Sequence, residues 1–471
     1  MTSTHKNQNA TNPELPGEGL RVYLQPRVLG MLFLGFSAGL PLLLVGGTFS
    51  AWLRDIGIEL AAIGFLSWVG MAHSIKVLWA PLIDRLPVPL LTRWFGRRRA
   101  WMLLAQVVIA GSLLGMALTD PTEKLWLVAV WAILAAFGSA TQDVAIDAYR
   151  VEAEASHRQA AMAATYVAGY RVAVLMAMAG AFHIAAISNW SVVYATMAVL
   201  MGVGIVTTLI IAEPAVRINR VTAEMEHRVT QYLASTRHAG LRQRFMAWFI
   251  GAVVCPFTDF FKRYGKAALL ILLFVGTFRI SDIFMGVMAG PFYLDLGFSK
   301  EEIGNVAGAF GLGMTLFGAA LGGVLVARFG IAPILIFTAF MAPATNLTFS
   351  WLAVLGPETH GLVIAIIADN ITGGMAISVF LAYLASLTNT AYTATQYALF
   401  SSLMTLPGQF FGGFTGWLAE QVGWFWFFII ASGFGLPAIV LALVLLRLAH
   451  PDRSQSPAMD AEASDQESAK A

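Results

Sequence analysis

The sequence predicts an all-α integral membrane protein with twelve transmembrane helices, arranged as two six-helix bundles around a central cavity. Of the 471 residues, 58% are hydrophobic and only 12% are charged, about half the charged share of an ordinary soluble domain. Apolar stretches of about 18 residues or more, which are long enough to cross a bilayer, recur about twelve times. A polar, basic segment divides these stretches into two sets of six.

The predicted spans form two halves, residues 28–212 and 267–447. In order, they are 28–49, 60–83, 100–118, 125–147, 160–186 and 190–212, then 267–289, 301–327, 331–355, 361–387, 394–419 and 423–447. Outside them lie a polar tail at 1–27, a linker at 213–266 and a tail at 448–471 whose composition predicts disorder. Within the linker, the apolar run 245–257 is short for a span. It predicts an interfacial or core-buried helix, and a pair of extra spans is the alternative.

The placement of lysine and arginine predicts the orientation of the chain. On the side of the termini, the tails and loops hold 23 of the 29 basic residues, whereas the loops of the other side hold only Arg54, Lys124 and Lys300. Because basic loops remain in the cytoplasm, both termini are predicted to be cytoplasmic. The N-terminal tail lacks the apolar core and cleavage site of a signal peptide, so the first span is expected to remain in the mature protein.

Several classes of function are disfavoured by what the sequence lacks. It has no Gly-x-x-x-x-Gly-Lys-Ser/Thr loop for ATP, which predicts a protein that uses a gradient or facilitates diffusion. It has no His-Glu-x-x-His metal pair. Its single cysteine, Cys255, excludes a disulfide or a Cys-rich metal site within the chain. The net charge of +2 gives no general field for nucleic acid. We therefore expect no enzyme activity, no cofactor, no metal and no nucleic-acid partner.

Ionisable side chains within the predicted spans indicate a polar site. They are Lys76, Asp143, Asp147, Arg171, Arg279, Asp282 and Asp369. A charge at the centre of a transmembrane helix costs about 2.5–3.5 kcal/mol, so we expect these groups to line a water-filled cavity between the halves. The candidates for proton coupling are Asp282, Asp143 and Asp369. The candidates for binding an anionic substrate are the cations Arg171, Arg279 and Lys76.

Three of these predictions have a structural alternative. Arg279 and Asp282 are three positions apart and can simply neutralise each other, or protonation of Asp282 can free Arg279 for a substrate. Arg171 either binds substrate or forms a buried ion pair with Asp143. Lys76 either faces the cavity or extends its side chain to the cytoplasmic interface.

Two further groups of polar residues accompany these charges. Asp147 and Arg150 are three positions apart near the cytoplasmic end of span 4, which favours a structural or gating ion pair. Asp369 is followed by Asn370 and by a Thr-Gly-Gly sequence at 372–374, where we expect a kinked or unwound helix beside the acid.

The two halves contain a weak internal repeat. Gly96 opens the basic turn Gly-Arg-Arg-Arg, and Gly330 ends an Arg-Phe-Gly turn 234 positions later. A duplicated six-helix unit explains this register, and such repeats often enclose a substrate site. We expect Asp84, Arg97 and Arg328, which lie at these turns, to act as gating or structural charges.

Several stretches of the chain resemble one known family. They are LGFSAGLPLLLVGGTFSAWL at 34–53, LWAPLIDR at 78–85, GRRRAWMLLAQ at 96–106, SATQDVAIDAYRVE at 139–152, GYR at 169–171 and TATQYALFSSL at 393–403. Together they are similar to the AmpG-type anhydromuropeptide permeases of the major facilitator superfamily, and the similarity covers nearly all twelve spans. The acetyl-coenzyme A transporters are relatives of that family.

The resemblance implies a proton-driven importer in the bacterial inner membrane. The implied substrate is GlcNAc-anhydroMurNAc, with or without peptide, which is carried into the cytoplasm for peptidoglycan recycling and for sensing of β-lactam damage. By the same motifs, functional roles are implied for Asp143, Asp147, Arg171, Asp282 and the region 373–374. Gln142 and Asn370, each beside an intramembrane acid, complete the expected substrate-binding set.

Two positions depart from the pattern of that family. Arg279 stands where a lysine is common, and Asp369 stands where a glutamate is common. Each change alters the reach or the shape of a charged group. The range of substrates can differ accordingly.

Two other functions remain open from the sequence. A divergent transporter of another bulky anion, such as a siderophore or acyl-coenzyme A, fits the same charges. A membrane scaffold or sensor, whose linker binds a partner or anionic lipid, fits the basic segment 213–266. The scaffold hypothesis predicts that neutralising Asp143, Asp282 and Asp369 together leaves function intact. In the leading interpretation the partners are protons, membrane lipid and a small anionic glycopeptide, and the protein is a monomer.

Overall fold

A computed structural model describes residues 23–153, 156–214, 255–265, 267–387 and 393–448. Within these ranges, every regular element is a helix. Ten helices are long and apolar enough to cross a membrane. The two remaining predicted spans are also helical: span 2 is divided into short pieces, and span 11 begins with Thr393–Gly412. The protein is therefore an all-helical membrane protein, as predicted.

The first half consists of six spans, several of which are interrupted. Its helices are Pro26–Leu44 and Gly47–Asp55 in span 1; Leu60–Leu66, Met71–Ile75 and Ala80–Arg85 in span 2; Arg97–Leu118 in span 3; Pro121–Ala153 in span 4; Ser156–Leu175 and Ala181–Ile187 in span 5; and Trp190–Leu200 and Gly202–Ile210 in span 6. A short helix, Leu91–Phe95, precedes span 3, and a π-helical turn at Met176–Gly180 joins the two parts of span 5.

The second half follows the same order after a short helix, Cys255–Tyr264. Its helices are Ala267–Thr277 and Ile280–Leu296 in span 7; Lys300–Glu302, Ile303–Phe310 and Gly311–Phe329 in span 8; Ile331–Leu355 in span 9; Thr359–Leu387 in span 10; Thr393–Gly412 in span 11; and Leu436–Leu448 in span 12. The helix Thr415–Gly433 is broken at Gly423, where φ is 74°. Its first part completes span 11 and its second part begins span 12.

The backbone supports the internal repeat. Gly96 has φ 85° and ψ 174°, and Gly330 has φ 83° and ψ 170°. Each glycine directly precedes the helix of an equivalent span, Arg97–Leu118 or Ile331–Leu355. A positive φ favours glycine because a Cβ atom would be strained there. The repeat is therefore preserved as backbone conformation even where side chains differ.

The hydrophobic core shows how the halves meet. We call the side of the membrane on which Pro26 and Leu448 lie the terminal side. On the opposite side, one continuous cluster of buried residues includes the ends or beginnings of spans from both halves. On the terminal side, each half has a separate cluster. The halves are thus packed together on the opposite side and divided by polar space toward the terminal side.

Close helix contacts reinforce this closure on the opposite side. Span 1 packs on span 7, span 2 on span 11 and span 5 on span 8. At the contact between spans 2 and 11, a Cβ atom on Gly416 would overlap the backbone oxygen of Leu60. Glycine permits this approach because it presents no side chain.

The structure contradicts one prediction of local structure and does not describe the region of another. The predicted kink at 372–374 is wrong, because span 10 is one continuous helix, Thr359–Leu387. Gly374 instead allows close packing, since a Cβ atom there would overlap the backbone oxygen of Thr315 in span 8. The predicted linker helix at 245–257 lies almost entirely outside the described residues, as do the tails at 1–22 and 449–471.

Candidate substrate and proton site

A cavity of about 310 Å³ lies between the halves, near the middle of the spans. Its charged lining comes from Arg279 and Asp282 of span 7 and from Asp369 of span 10. The first half contributes Thr48 and Phe182, from spans 1 and 5. Three of the seven predicted intramembrane charges therefore meet in one cavity at the interface between the halves.

The pair Arg279 and Asp282 is placed by an interruption in span 7. The helix ends at Thr277 and resumes at Ile280, so Arg279 is the residue that precedes the second segment and Asp282 lies in its first turn. Arg279 Nε is 3.0 Å from Asp282 Oδ2, and both side chains are more than 80% buried. The start of a helix favours a carboxylate because its N–H groups carry partial positive charge.

The guanidinium of Arg279 retains hydrogen-bonding capacity. Its Nε–H is buried against Asp282, 3.0 Å from Oδ2. Among the described residues, Asp282 is its ion-pair partner, and no group accepts a hydrogen bond from its two Nη groups. An arginine with unused donors in a cavity is suited to bind a carboxylate or another planar anion.

Asp369 and Asn370 lie beside this pair but differ in their contacts. Within the described part of the chain, the Asp369 carboxylate forms no ion pair and accepts no hydrogen bond. The Asn370 amide is occupied: its Oδ1 accepts a hydrogen bond from Thr315 Oγ1 at 2.7 Å, and its Nδ2 donates to the backbone oxygen of Ile366 at 3.1 Å. Asn370 lines the cavity, yet its polar atoms join spans 8 and 10.

A larger cavity of about 870 Å³ adjoins the first and extends toward the terminal side. The two cavities share Arg279 and Gly286 of span 7. Lys76 of span 2 lines the larger cavity, and its Nζ is 3.5 Å from Asp143 Oδ2 of span 4. Lys76 therefore pairs within the first half instead of extending to the membrane interface.

The position of Asp147 indicates where the larger cavity reaches the terminal side. Asp147 lines this cavity, and its side chain is 55% exposed. Its Oδ1 is 3.3 Å from Arg150 Nη2, so the ion pair predicted from the sequence is present. Asp143, one helical turn deeper, has a buried Oδ1 atom without a hydrogen-bond partner among the described residues.

Two predicted substrate-binding residues lie elsewhere. Gln142 is fully buried and exchanges two hydrogen bonds with Ser37 of span 1: Ser37 Oγ donates to Gln142 Oε1 at 2.8 Å, and Gln142 Nε2 donates to the Ser37 backbone oxygen at 3.0 Å. Its helix face differs from that of Asp143, its neighbour. Arg171 is half-buried on span 5 and is absent from the described linings of both cavities. Asp143 pairs with Lys76 and not with Arg171.

The Gly-x-Ser-x-Gly pattern at 35–39 contains this same Ser37. In hydrolases that pattern forms a strained turn between a strand and a helix. Here it lies inside the regular helix Pro26–Leu44. Ser37 therefore has a packing role and does not form a nucleophile elbow.

The loop charges on the terminal side form a local network in the first half. Arg98 pairs with Glu152 of span 4 through contacts of 2.6 and 3.0 Å, and Arg97 Nη2 lies 3.7 Å from the same carboxylate. Glu213 accepts hydrogen bonds from the backbone N–H groups of Arg98 and Arg99 at 2.7 and 3.0 Å. These N–H groups begin a helix and need such acceptors.

The remaining predicted gating charges are less informative. Arg328 is exposed, and its guanidinium carbon is 5.3 Å from the centre of the Phe329 ring. Asp84 lies in the helix Ala80–Arg85, but its side chain is outside the described part of the structure. Glu152 and Glu213 were missed in the sequence, although three consecutive arginines at 97–99 are a signal that carboxylates lie nearby.

Two ion pairs join the halves on the opposite side. Arg54 of span 1 donates to both carboxylate oxygens of Asp295 of span 7, with Nη2 2.9 Å from Oδ2. Lys300, at the start of span 8, has its Nζ 2.7 Å from Asp55 Oδ2. These two pairs include two of the three basic residues on that side.

Tryptophan side chains complete this arrangement symmetrically. Trp190 Nε1 donates to Asp55 at 2.7 Å, and Trp424 Nε1 donates to Asp295 at 3.1 Å. Trp190 and Trp424 are 234 positions apart, the register of the internal repeat. Comparison of the two halves at this offset would have identified the tryptophans, which sequence analysis had not singled out. We call Arg54, Asp55, Asp295 and Lys300, with the two tryptophans, the opposite-side network.

This fold and site define a secondary transporter of the major facilitator superfamily, with buried charges between two related halves. The Major Facilitator Superfamily profile matches residues 267–468, and the Acetyl-coenzyme A transporter 1 profile matches residues 28–123. A peptide transporter of the POT type has a TM-score of 0.64 at 14% identity and covers 90% of this chain and 94% of its own. A D-xylose–proton symporter has a TM-score of 0.62 at 15% identity, with 90% and 96% covered. These similarities show the fold.

The chain belongs to the AmpG family of permeases. It is 33% identical to the anhydromuropeptide permease of Escherichia coli K12 over 90% of this chain and 81% of that protein. It is 32% identical to the transporter AmpG 4 of Rickettsia conorii over 90% of this chain and 98% of that protein. The protein is therefore a multi-pass membrane transporter and not an enzyme.

Proposed function

We propose that this protein imports GlcNAc-anhydroMurNAc, with or without attached peptide, across the bacterial inner membrane together with protons. The relative in Escherichia coli is an anhydromuropeptide permease, and the cavity between the halves carries the cation and acids that such a substrate requires. In this proposal the terminal side is cytoplasmic, because it holds 23 of the 29 basic residues. The protein acts as a monomer in the lipid bilayer and supplies fragments for peptidoglycan recycling.

The observation that carries the proposal is the unused hydrogen-bonding capacity of Arg279 in the small cavity. Its Nε lies 3.0 Å from Asp282 Oδ2, while its two Nη groups donate to no other group of the described residues. When Asp282 is ionised, it neutralises Arg279 and competes with a substrate carboxylate. When Asp282 takes up a proton, that competition ends and Arg279 can bind the anion. Proton binding and substrate binding thereby favour each other.

Asp369 supports this coupling from the neighbouring span. It lines the same cavity and has no ion-pair partner among the described residues. Two carboxylates in one desolvated space disfavour double ionisation, because like charges repel strongly at low dielectric constant. Binding of a proton by either acid relieves this repulsion. Asp369 can exchange a proton with Asp282 as the cavity changes from being open to one side of the membrane to being open to the other.

A second charged pair extends the path toward the terminal side. Lys76 and Asp143 are 3.5 Å apart beside the larger cavity, and Asp147 lies one turn beyond. In the proposal, Asp143 accepts the proton released from the small cavity, and Asp147 delivers it to the cytoplasm. Separation of the halves on the terminal side provides the exit for the substrate.

Uptake into proteoliposomes tests the proposal directly. Labelled GlcNAc-anhydroMurNAc-peptide is supplied outside, with and without an imposed proton gradient, acid outside. The proposal predicts accumulation above equilibrium only with the gradient. Absence of uptake by folded, correctly oriented protein would refute the substrate, and equal uptake without the gradient would refute proton coupling.

A further inference from the structure

Two facing helices of the larger cavity carry neutral polar side chains. Ser67 and Ser74 are seven positions apart on span 2, and Ser402, Thr405 and Gln409 follow one another at intervals of three and four on span 11. On the helix Thr393–Gly412, such spacings place the three residues of span 11 on one face. All five residues line the cavity. Because span 2 belongs to the first half and span 11 to the second, this polar wall crosses the interface.

Only some of the polar groups in this wall form hydrogen bonds within the protein. The hydroxyl groups of Ser74 and Thr405 form a hydrogen bond of 2.7 Å that joins the two helices. Ser67 Oγ, by contrast, is buried without a hydrogen-bond partner. In the described part of the chain, the Ser402 hydroxyl and the Gln409 side-chain amide also lack side-chain hydrogen bonds. The Ser402 hydroxyl and the Gln409 amide line the cavity and can donate hydrogen bonds to a ligand or accept them from it.

Gly70 of span 2 leaves space for the side-chain amide of Gln409. A Cβ atom on Gly70 of span 2 would lie 2.9 Å from Gln409 Oε1. Glycine at position 70 thus lets the amide of span 11 lie against span 2. The amide offers both a donor and an acceptor, which is the pattern required by an acetamido group or by neighbouring hydroxyl groups.

The charges of the cavity are separate from this wall. Arg279 lies on span 7, and Lys76 is paired with Asp143 on span 4. A ligand that carries a carboxylate places it at Arg279, the cation with unused donors. The neutral end of the same ligand then has the polar wall as its complementary surface.

We infer that Ser402 and Gln409 form a subsite for the neutral N-acetylated sugar end of the substrate, while Arg279 binds its carboxylate. This inference rests on the proposed function. Because the Gln409 amide lies against Gly70 of span 2, a sugar bound there lies at the contact between the halves. The subsite therefore determines specificity and also links substrate binding to the relative position of the halves.

Binding of two probes to the purified protein in nanodiscs tests the subsite. The first probe is peptide-free GlcNAc-anhydroMurNAc, and the second is the corresponding peptide without sugars, used as a competitor of labelled muropeptide binding. In Gln409→Leu and, independently, in Ser402→Ala, we expect the Kd of the disaccharide to rise about tenfold, which corresponds to about 1.4 kcal/mol. In both variants we expect the free peptide to compete as well as it does in the wild type.

A matched control is Ser50→Ala. Ser50 lines the same cavity, but its hydroxyl already donates to the Gly46 backbone oxygen of its own helix at 3.2 Å. This variant is expected to bind the disaccharide with the affinity of the wild type. Gln409→Asn, which retains the amide, is expected to bind more tightly than Gln409→Leu, and thermal unfolding verifies that each variant is folded.

The outcomes distinguish failure of the subsite from failure of the proposed function. If the wild type transports muropeptide but both Gln409→Leu and Ser402→Ala bind the disaccharide normally, the subsite is wrong and the transport function stands. Loss of competition by the free peptide, with disaccharide binding unchanged, would assign the wall to the peptide end. If the wild type binds neither probe, both proposals are wrong.

Discussion

Asp55 of the first half and Lys300 of the second form an ion pair of 2.7 Å on the opposite side of the protein. An aspartate of the second half, Asp295, pairs in turn with Arg54 of the first. Each half thus contributes one acid and one base, and each acid also accepts a hydrogen bond from a tryptophan. The opposite-side network holds the halves together where they share one hydrophobic core.

Removal of an acid from this network should favour opening on the opposite side. In a Cys255→Ser background, Ala289→Cys places a thiol in the small cavity, which lies behind the network. With Asp55→Asn added, we expect a membrane-impermeant maleimide, applied to intact cells, to label this thiol several-fold faster. The ion pair with Lys300 is lost, so the closed arrangement loses stability relative to the open one.

Asp120→Asn is the control for that measurement. Asp120 lies on the same side, but its carboxylate accepts hydrogen bonds from its neighbour Thr122 at 2.7 and 2.8 Å. Its removal should leave labelling unchanged. Equal labelling in the Asp55→Asn variant and its parent would contradict the role of the network.

Gly416 provides a separate test of closure between spans 2 and 11. A methyl group there would overlap the backbone of Leu60, and overpacking of this kind costs about 1–3 kcal/mol. Gly416→Ala should therefore unfold at a lower temperature in detergent. Gly313→Ala is the matched control, because that helical glycine has nothing within 4 Å of a Cβ atom. A Gly416→Ala variant as stable as Gly313→Ala would show that the contact is not tight.

Lys76 and Asp143 should behave as an energetic unit. Removal of one partner leaves the other charge half-buried without its counterion, at a cost of about 1–3 kcal/mol. We expect Lys76→Met and Asp143→Asn each to lower the unfolding temperature, and the double variant to recover much of the loss. Simple addition of the two single effects would show that the 3.5 Å contact contributes little.

The sequence was sufficient to predict the spans and some of the local pairs. Hydropathy located the helices because a bilayer demands long apolar segments. The pairs Arg279–Asp282 and Asp147–Arg150 followed from spacing, since residues three apart share a helix face. These predictions depend only on one helix at a time.

Contacts between helices could not be predicted in the same way. Lys76 and Asp143 lie on different spans, so their pairing depends on the depth and rotation of both helices. Gln142 faces span 1 although it precedes Asp143, because one residue turns the helix by about 100°. Gly374 allows packing instead of a kink because span 8 lies against it. The structure therefore supplies the contacts between helices on which the proposed coupling of protons to substrate depends.

The most direct test of the central claim compares two transport modes of Asp282→Asn in proteoliposomes. The account predicts that exchange of labelled for unlabelled muropeptide persists, because Arg279 is then permanently free to bind the substrate. Accumulation driven by a proton gradient should fall to the level seen without a gradient, because the titrating carboxylate is gone. Full gradient-driven accumulation by Asp282→Asn would contradict the claim that this acid couples proton binding to substrate binding.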